Sequence, residues 1–334
     1  MLSIVTGGAG FIGSHLVERL LHDGDEVVVL DDFSTGRADN LATVVGHPRL
    51  RLVEGSVLDR HLVAGTVAGA DRVFHLAAAV GVRLIVDHPL RGLRTNIHGT
   101  ENVLDAALAA DARLLVVSTS EVYGKNTADA LHESADRVLG SPLTARWTYA
   151  AAKGIDEAFA HAYHGEFGLR VAIARPFNTV GPRQTGRYGM VVPNLVGQAL
   201  RGEPLTVFGD GEQTRCFSYV GDVVPALVAL VGDESAYGHA FNLGGEREIS
   251  IADLARLVLD VTGSDSPIVR VPYEQAYGDG YEDMRRRVPD NGAARAAVGF
   301  DPSTPLEEVV RLVAADLAAR RTAPTRAVVE RAVA

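Results

Sequence analysis

Tyr149 and Lys153 stand four residues apart in the stretch RWTYAAAKGIDE, residues 146–157. On a helix that spacing puts both side chains on one face. The chain holds 32 basic residues, and only Lys125 and Lys153 among them are lysine. A phenol is too weak an acid to act as a base near pH 7. A compact ammonium beside it favours the phenolate, a service that the planar fork of arginine performs poorly. Tyr149 can then take a proton from an alcohol while a hydride leaves the same carbon. With nine tyrosines and two lysines, such a pair arises by chance in about one chain in twenty.

A hydride needs an acceptor, and TGGAGFIG, residues 6–13, supplies a place for one. Gly7, Gly10 and Gly13 follow a strand-like run and open a helical pattern. In that setting glycines permit a tight turn, close approach of backbone N–H groups to a pyrophosphate, and close helix–strand packing. Asp31 lies 24 residues after Gly7, at the end of the next apolar run, where a carboxylate accepts the ribose hydroxyls of NAD. A carboxylate there also repels a 2′-phosphate, so NAD is expected over NADP; Arg37, in LDDFSTGR (30–37), is the residue that argues the other way. A hydroxyl partner for the reacting oxygen is expected after the fifth strand, in STSEVYG (118–124), with Thr119 favoured over Ser118 and Ser120.

The elements that must position these residues follow from pattern. Near-continuous apolar runs at 2–7, 26–30, 50–55, 71–77 and 112–119 read as strands buried on both faces, hence a parallel sheet covered by helices. Helices are expected at 11–24, with Ile12, Leu16, Leu20 and Leu21 on one face, at about 89–109, and at 250–263 with Ser250 as N-cap. Residues 176–189 read as a long functional loop and 240–245 as a strand running into a glycine turn.

Composition narrows the class. The chain has 334 residues, 47% apolar and 22% charged, with net charge −10 and a pI near 5.6. No clustered positive surface for nucleic acid is expected. One cysteine, Cys216, excludes an intramolecular disulfide and fits a reduced, cytoplasmic setting. The N-terminus shows no leader pattern, no apolar run approaches a membrane span, and no metal-ligating cluster stands out. Abundant Ala, Val, Arg and Gly with little Lys suggests a high-GC bacterial source.

Taken in order, TGGxGFIG, Asp31, HLAA (75–78), STSEVYG, Tyr149 with Lys153, and RPFNTVGPR (175–183) resemble the extended short-chain dehydrogenase/reductase family of nucleotide-sugar epimerases, decarboxylases and dehydratases. The resemblance covers about residues 2–315. It implies an α/β fold: a Rossmann doubly wound parallel sheet in 1–176, completed by about 217–242, with a smaller C-terminal α/β lobe from 177–216 and 243–320 and a tail at 321–334. It implies a homodimer formed through Rossmann-domain helices, including the one bearing Tyr149.

By that resemblance Thr119, Tyr149 and Lys153 are catalytic. NAD is expected against Phe11 and Ile12 in the glycine turn, then Asp31, Asp32, Ser34, Thr35 and Gly36. Ser56 and Val57 follow, with Ser56 where many relatives carry an aspartate facing the adenine, and then Leu76, Ala77, Ala78 and Pro176. Asn178 and Arg215 are expected at the substrate diphosphate, and Leu205, Thr206 and Val207 along the nucleotide base. Val80, Arg183 and Val192 complete the expected substrate contacts.

Dehydratases of the family resemble STDEVYG, and Ser120 here replaces the aspartate. The stretch YGDGYEDMRRRVPD (277–290) instead resembles enzymes acting on UDP-glucuronate, in which the positions matching Ser120, Glu121 and Arg287 surround the sugar carboxylate. Two outcomes compete after oxidation at sugar C4: 4-epimerisation to UDP-galacturonate, or loss of CO2 to UDP-xylose or a UDP-4-keto-pentose. Ala150, Ala151 and Ala152, where decarboxylases carry bulkier polar residues, and the loop GPRQTGRYGMVVP (181–193) favour the epimerase, with antibiotic assembly as its setting. Glu121 favours the decarboxylase. A Rossmann module that senses NAD without chemistry would need neither Tyr149 nor Lys153.

Overall fold

The computed structural model describes residues 1–80, 88–186, 189–272, 275 and 284–322. Its centre is a seven-stranded sheet built from β1 (Leu2–Thr6), β2 (Glu26–Asp31), β3 (Leu50–Glu54), β4 (Arg72–His75), β5 (Arg113–Val117) and β6 (Val171–Pro176), with a later strand at Ala240–Leu243 on the β6 edge. Every pairing is parallel. The spatial order is β3-β2-β1-β4-β5-β6 and then the late strand. Strand order therefore reverses between β1 and β4, and a crevice opens at the carboxyl ends of those strands, where open α/β sheets bind ligands.

Successive strand residues face opposite layers. Val5, Val27 and Val29 join one core with Leu16, Val17 and Leu20 of α1 (Phe11–His22). Ile4, Val28 and Leu30 join the other, with Val63 and Val67 of α2 (Arg60–Val67) and Val103 and Leu104 of α3 (Pro89–Ala109). Pro89 opens α3, a position where its missing N–H costs nothing. Next comes α4 (Thr148–Phe167), which carries Tyr149 in its first turn and ends at Gly168 in the left-handed region, φ 71°.

The second half is a set of short pairings around a third core. The strands are β7 (Thr179–Val180), β8 (Leu205–Phe208), β9 (Thr214–Cys216), β10 (Ser218–Tyr219), then β11 (Ala240–Leu243, the late sheet strand), β12 (Glu248–Ser250) and β13 (Ile268–Val271). The helices are α5 (Val191–Arg201), α6 (Val220–Gly232), α7 (Ile251–Thr262), α8 (Gly292–Val298) and α9 (Leu306–Thr322). Residues 217–242 supply α6 and β11, and both return to the large sheet: Val223, Leu227 and Leu230 pack in the α1 core. Val192, Leu195, Leu254, Val258 and Val310 form the lobe core from α5, α7 and α9. Ser250 caps α7 as expected, its hydroxyl accepting from Asp253 N at 3.0 Å.

Candidate active site

The glycine turn is built to leave backbone N–H groups open. Gly7 has φ 72°, and a Cβ there would meet Ala77 N at 2.7 Å; a Cβ on Gly13 would meet the Gly7 carbonyl oxygen at 2.2 Å. Helix α1 begins here with no side-chain cap and no acidic residue in its first turn. Its N–H groups and dipole are thus available to an anion. The Asp31 carboxylate accepts from Ala9 N at 2.9 Å and Phe33 N at 2.8 Å, and burial pushes it above its ordinary value. Gly36 lies against the same carboxylate, with room for no side chain. Leu76, Ala77 and Ala78 follow β4 across the crevice, where Ala77 N donates to Thr6 Oγ1 at 3.2 Å. Phe11, Ile12, Asp32, Ser34 and Thr35 lie on this same turn and the one after β2. Ser56 accepts from Leu58 N through its hydroxyl, and Val57 is buried. The donor set and the close-approach glycines fit a dinucleotide held from β1 to β2.

Tyr149, Lys153 and Thr119 converge across the next strand edge. Thr119 caps a 3-10 turn at Ser120–Tyr123, accepting from Glu121 N at 3.2 Å. Its hydroxyl also bonds the Tyr149 phenol. Tyr149 is nearly buried, and burial pushes its phenol well above the ordinary value. The Glu121 and Asp156 charges push the same way, while the Thr119 bond opposes them. The Lys153 ammonium, 1% exposed as a residue, donates to Asp156 Oδ2 at 3.0 Å. The expected Tyr149–Lys153 pairing on one helix face is therefore joined by a third group, because Asp156 follows Lys153 at i+3 on the same helix.

Glu121 sits between two guanidiniums. Arg287 Nη1 donates to Oε1 at 2.6 Å and Arg146 Nη1 to Oε2 at 2.5 Å. Burial acts to raise this carboxyl, but the Arg287 and Arg146 charges outweigh it and hold it at about 2. Arg287 Nη2 also donates to Asn178 Oδ1 at 2.7 Å, and Asn178 Nδ2 reaches the Cys216 carbonyl at 2.8 Å. Residues from the turn after β5, the approach to Tyr149, the turn after β6 and the distant 284–291 segment thus meet at one point. Ser120 is buried beside Glu121.

Other expected residues lie elsewhere or serve the frame. Arg183 pairs with Glu18 of α1 at 2.5 Å, and its N–H donates to Asp316 of α9 at 2.8 Å, tying the loop to two helices. Val192, Leu205 and Val207 point into the lobe core, so at these three positions the side chains pack the lobe. Thr206 is clamped by Gln198 through two bonds of 3.0 Å. Arg215 lies on β9 and donates to the Thr214 carbonyl at 2.8 Å. Pro176 ends β6, and Val80 follows β4 as the last described residue before 88. Residues 277–283 of the YGDGYEDMRRRVPD stretch and 187–188 of the long loop lie outside the described residues.

Sequence reasoning passed over Arg146, Asp156, Glu157 and Arg175. Glu157 of α4 receives Arg175 of β6 in a two-pronged bond, 2.9 and 2.6 Å, and the Ser118 hydroxyl at 2.5 Å. Arg175 also donates to Tyr123, whose hydroxyl reaches Asn242 of β11 at 2.7 Å. This network fixes the Thr119–Tyr123 turn against α4 and the sheet. The available signal was positional: Arg146 precedes Tyr149 by three residues, and Asp156 and Glu157 follow Lys153 by three and four.

The chain is similar to known proteins over most of its length. Residues 3–244 match the model of the NAD dependent epimerase/dehydratase family. The chain is 40% identical over 306 residues to a UDP-N-acetyl-alpha-D-glucosaminuronate decarboxylase of Bacillus cytotoxicus, covering 91% of this chain and 94% of that one. It is 40% identical over 307 residues to UDP-glucuronic acid decarboxylase 1 of Xenopus tropicalis, covering 91% and 69%. A solved UDP-glucuronic acid 4-epimerase of Bacillus cereus, in complex with UDP-glucuronic acid and NAD, superposes with a TM-score of 0.86 at 28% identity, covering 96% of this chain and all of that one. The Rossmann sheet, the glycine turn and the matched length make this chain a member of the NAD dependent epimerase/dehydratase family, with NAD as its cofactor.

Proposed function

We propose that the protein is a UDP-glucuronate decarboxylase. The observation that carries this reading is the Arg146–Glu121–Arg287 cluster next to Tyr149. Arg146 and Arg287 bring two guanidiniums together around Glu121 in a largely buried place, a donor set that suits a further carboxylate, the one a uronic acid carries. A neutral hexose offers nothing to match it.

Tyr149, bonded by Thr119, takes the proton of the C4 hydroxyl. NAD, when bound, accepts the C4 hydride and can return it. The resulting 4-ketone lies β to the C6 carboxylate. The C5–C6 bond breaks, its electron pair passes into the C4 ketone as an enolate, and CO2 departs. A proton then returns to C5, giving a 4-keto-pentose, which is released or reduced to the xylose form. Arg146 and Arg287 orient the carboxylate so that the breaking bond stands across the ketone plane, and Glu121 holds both guanidiniums in place beforehand.

The expectation of a 4-epimerase rested mainly on Ala150, Ala151 and Ala152. Ala150 and Ala152 are wholly buried, and the Ala150 carbonyl accepts from Arg137 at 3.0 Å. Their size answers to packing, so they say little about the reaction. The decarboxylase relatives at 40% identity weigh more than the 4-epimerase structure at 28%. That structure remains the observation favouring epimerisation as the second reading.

Incubation with UDP-glucuronate, UDP-N-acetylglucosaminuronate and UDP-glucose, followed by NMR of the products, tests the proposal. A UDP-pentose from UDP-glucuronate, with UDP-glucose untouched, is expected. Turnover of UDP-glucose but of neither uronate would overturn it.

A further inference from the structure

Lys153 and Asp156 form an ion pair whose side chains are 2% and 0% exposed. A buried carboxylate so placed competes for the positive charge that the base needs. Groups from several elements surround the pair. On β4, His75 is wholly buried, bonded to Thr6 Oγ1 at 2.7 Å and Thr100 Oγ1 at 3.0 Å. Burial, and then the Lys153 charge, push its ring down to about 3, so it stands neutral against the ammonium. Burial pushes the Asp156 carboxyl above its ordinary value and the neighbouring Glu157 charge adds to this, while the Lys153 ammonium and, from α3, the Thr100 hydroxyl oppose it. The other Asp156 oxygen, Oδ1, is buried and has no hydrogen-bond partner among the described residues. From the 3-10 turn, Glu121 faces the Tyr149 phenol, with its own charge taken up by Arg146 and Arg287.

We propose that Asp156 is a positioning residue for the Tyr149–Lys153 pair: its buried carboxylate tethers the Lys153 ammonium and screens that charge from the phenol. The inference rests on Tyr149 being the base of the proposed reaction. Its consequence is a phenol that stays protonated until further positive charge enters the site. Base strength is then coupled to the presence of oxidised cofactor. When the phenol ionises, its O–H proton passes to solvent and the phenolate remains facing the substrate hydroxyl.

Asp156→Asn keeps the shape and removes the charge. In the protein freed of NAD, ultraviolet difference titration of the tyrosines should then show one phenol ionising about one pH unit or more lower than in the wild type. That change should be missing from Asp156→Asn in a Tyr149→Phe background. The acid limb of the kcat/KM profile should move to lower pH by the same amount, and Asp156→Glu should restore the wild-type midpoint. If Asp156→Asn does not fold, Asp156→Ser gives the same comparison with a smaller neutral side chain. An unmoved Tyr149 titration in a folded neutral variant would overturn the proposal, even if activity fell. Wild-type activity in Tyr149→Phe would instead remove the base assignment itself, a distinct failure.

Discussion

Glu121 gains its low protonation midpoint from Arg287 and Arg146, so its ionisation is linked to folding. In the unfolded chain a glutamate titrates near ~4.3. The folded value of about 2 lies below that. The cluster therefore contributes stability that is fully present above about pH 4.3 and is lost as pH falls towards 2. We expect Glu121→Gln to be clearly less stable than wild type in urea melts at pH 7. The gap should narrow between pH 4.3 and 2.5, and a constant gap across that range would show that the carboxylate is not held by the two arginines. Much of this site was legible from residue types alone. Tyr149, Lys153, Thr119, Glu121 and Arg287 carry chemistry that few other residues supply, and the structure gathers them. Arg146 and Asp156 were not legible, because an arginine or an aspartate on a helix is usually a solvated surface group. Their spacing from Tyr149 and Lys153 was the one signal, and burial is what gives it meaning.

At the scale of elements, the turn between β1 and α1 has one tolerance limit that can be tested. A Cβ at Gly13 would stand 2.2 Å from the Gly7 carbonyl oxygen and 2.8 Å from the Gly8 Cα, both backbone atoms that cannot swing aside. Gly13→Ala should therefore destabilise the fold by about 1–3 kcal/mol. It should also blunt the rise in melting temperature that NAD confers, as thermal melts with and without NAD would show. An unchanged NAD-dependent rise would contradict the placement of the dinucleotide at this turn. Strands β1 to β5 and helices α1, α3 and α7 were readable in the sequence, since their apolar patterns are strong and, for α7, Ser250 and Gly263 mark the ends. Helix α6 was not. Its sequence, VGDVVPALVALVG, is apolar on nearly every side and contains Pro225, so no amphipathic period shows. It is nevertheless a helix, because it lies buried between the sheet and α8, with Val223, Leu227 and Leu230 wholly covered. The short strands β7 to β10 escaped for another reason: two to four residues are too few to display a period.

Seen as a whole, the molecule joins a parallel sheet to a lobe with its own core, and the candidate site lies where the two chain halves meet. Among the described residues no helix is long and apolar enough to cross a membrane. Helices α3 and α4 pack together yet leave Leu90, Ile155 and Phe167 exposed at 59, 42 and 58%. A dimer through Rossmann-domain helices, as the family resemblance implies, would cover such side chains. Sedimentation should show a dimer, and Ile155→Glu with Phe167→Glu should yield a folded monomer; a wild-type chain that sediments as a monomer at every concentration would contradict this. The central claim concerns the fate of one carbon. UDP-glucuronate labelled with carbon-13 at C6 should, on incubation with the NAD-loaded protein, release the label as carbon dioxide and bicarbonate, leaving an unlabelled UDP-pentose in the NMR spectrum. Retention of the label in a UDP-hexuronate inverted at C4 would contradict the decarboxylase and establish the epimerase in its place.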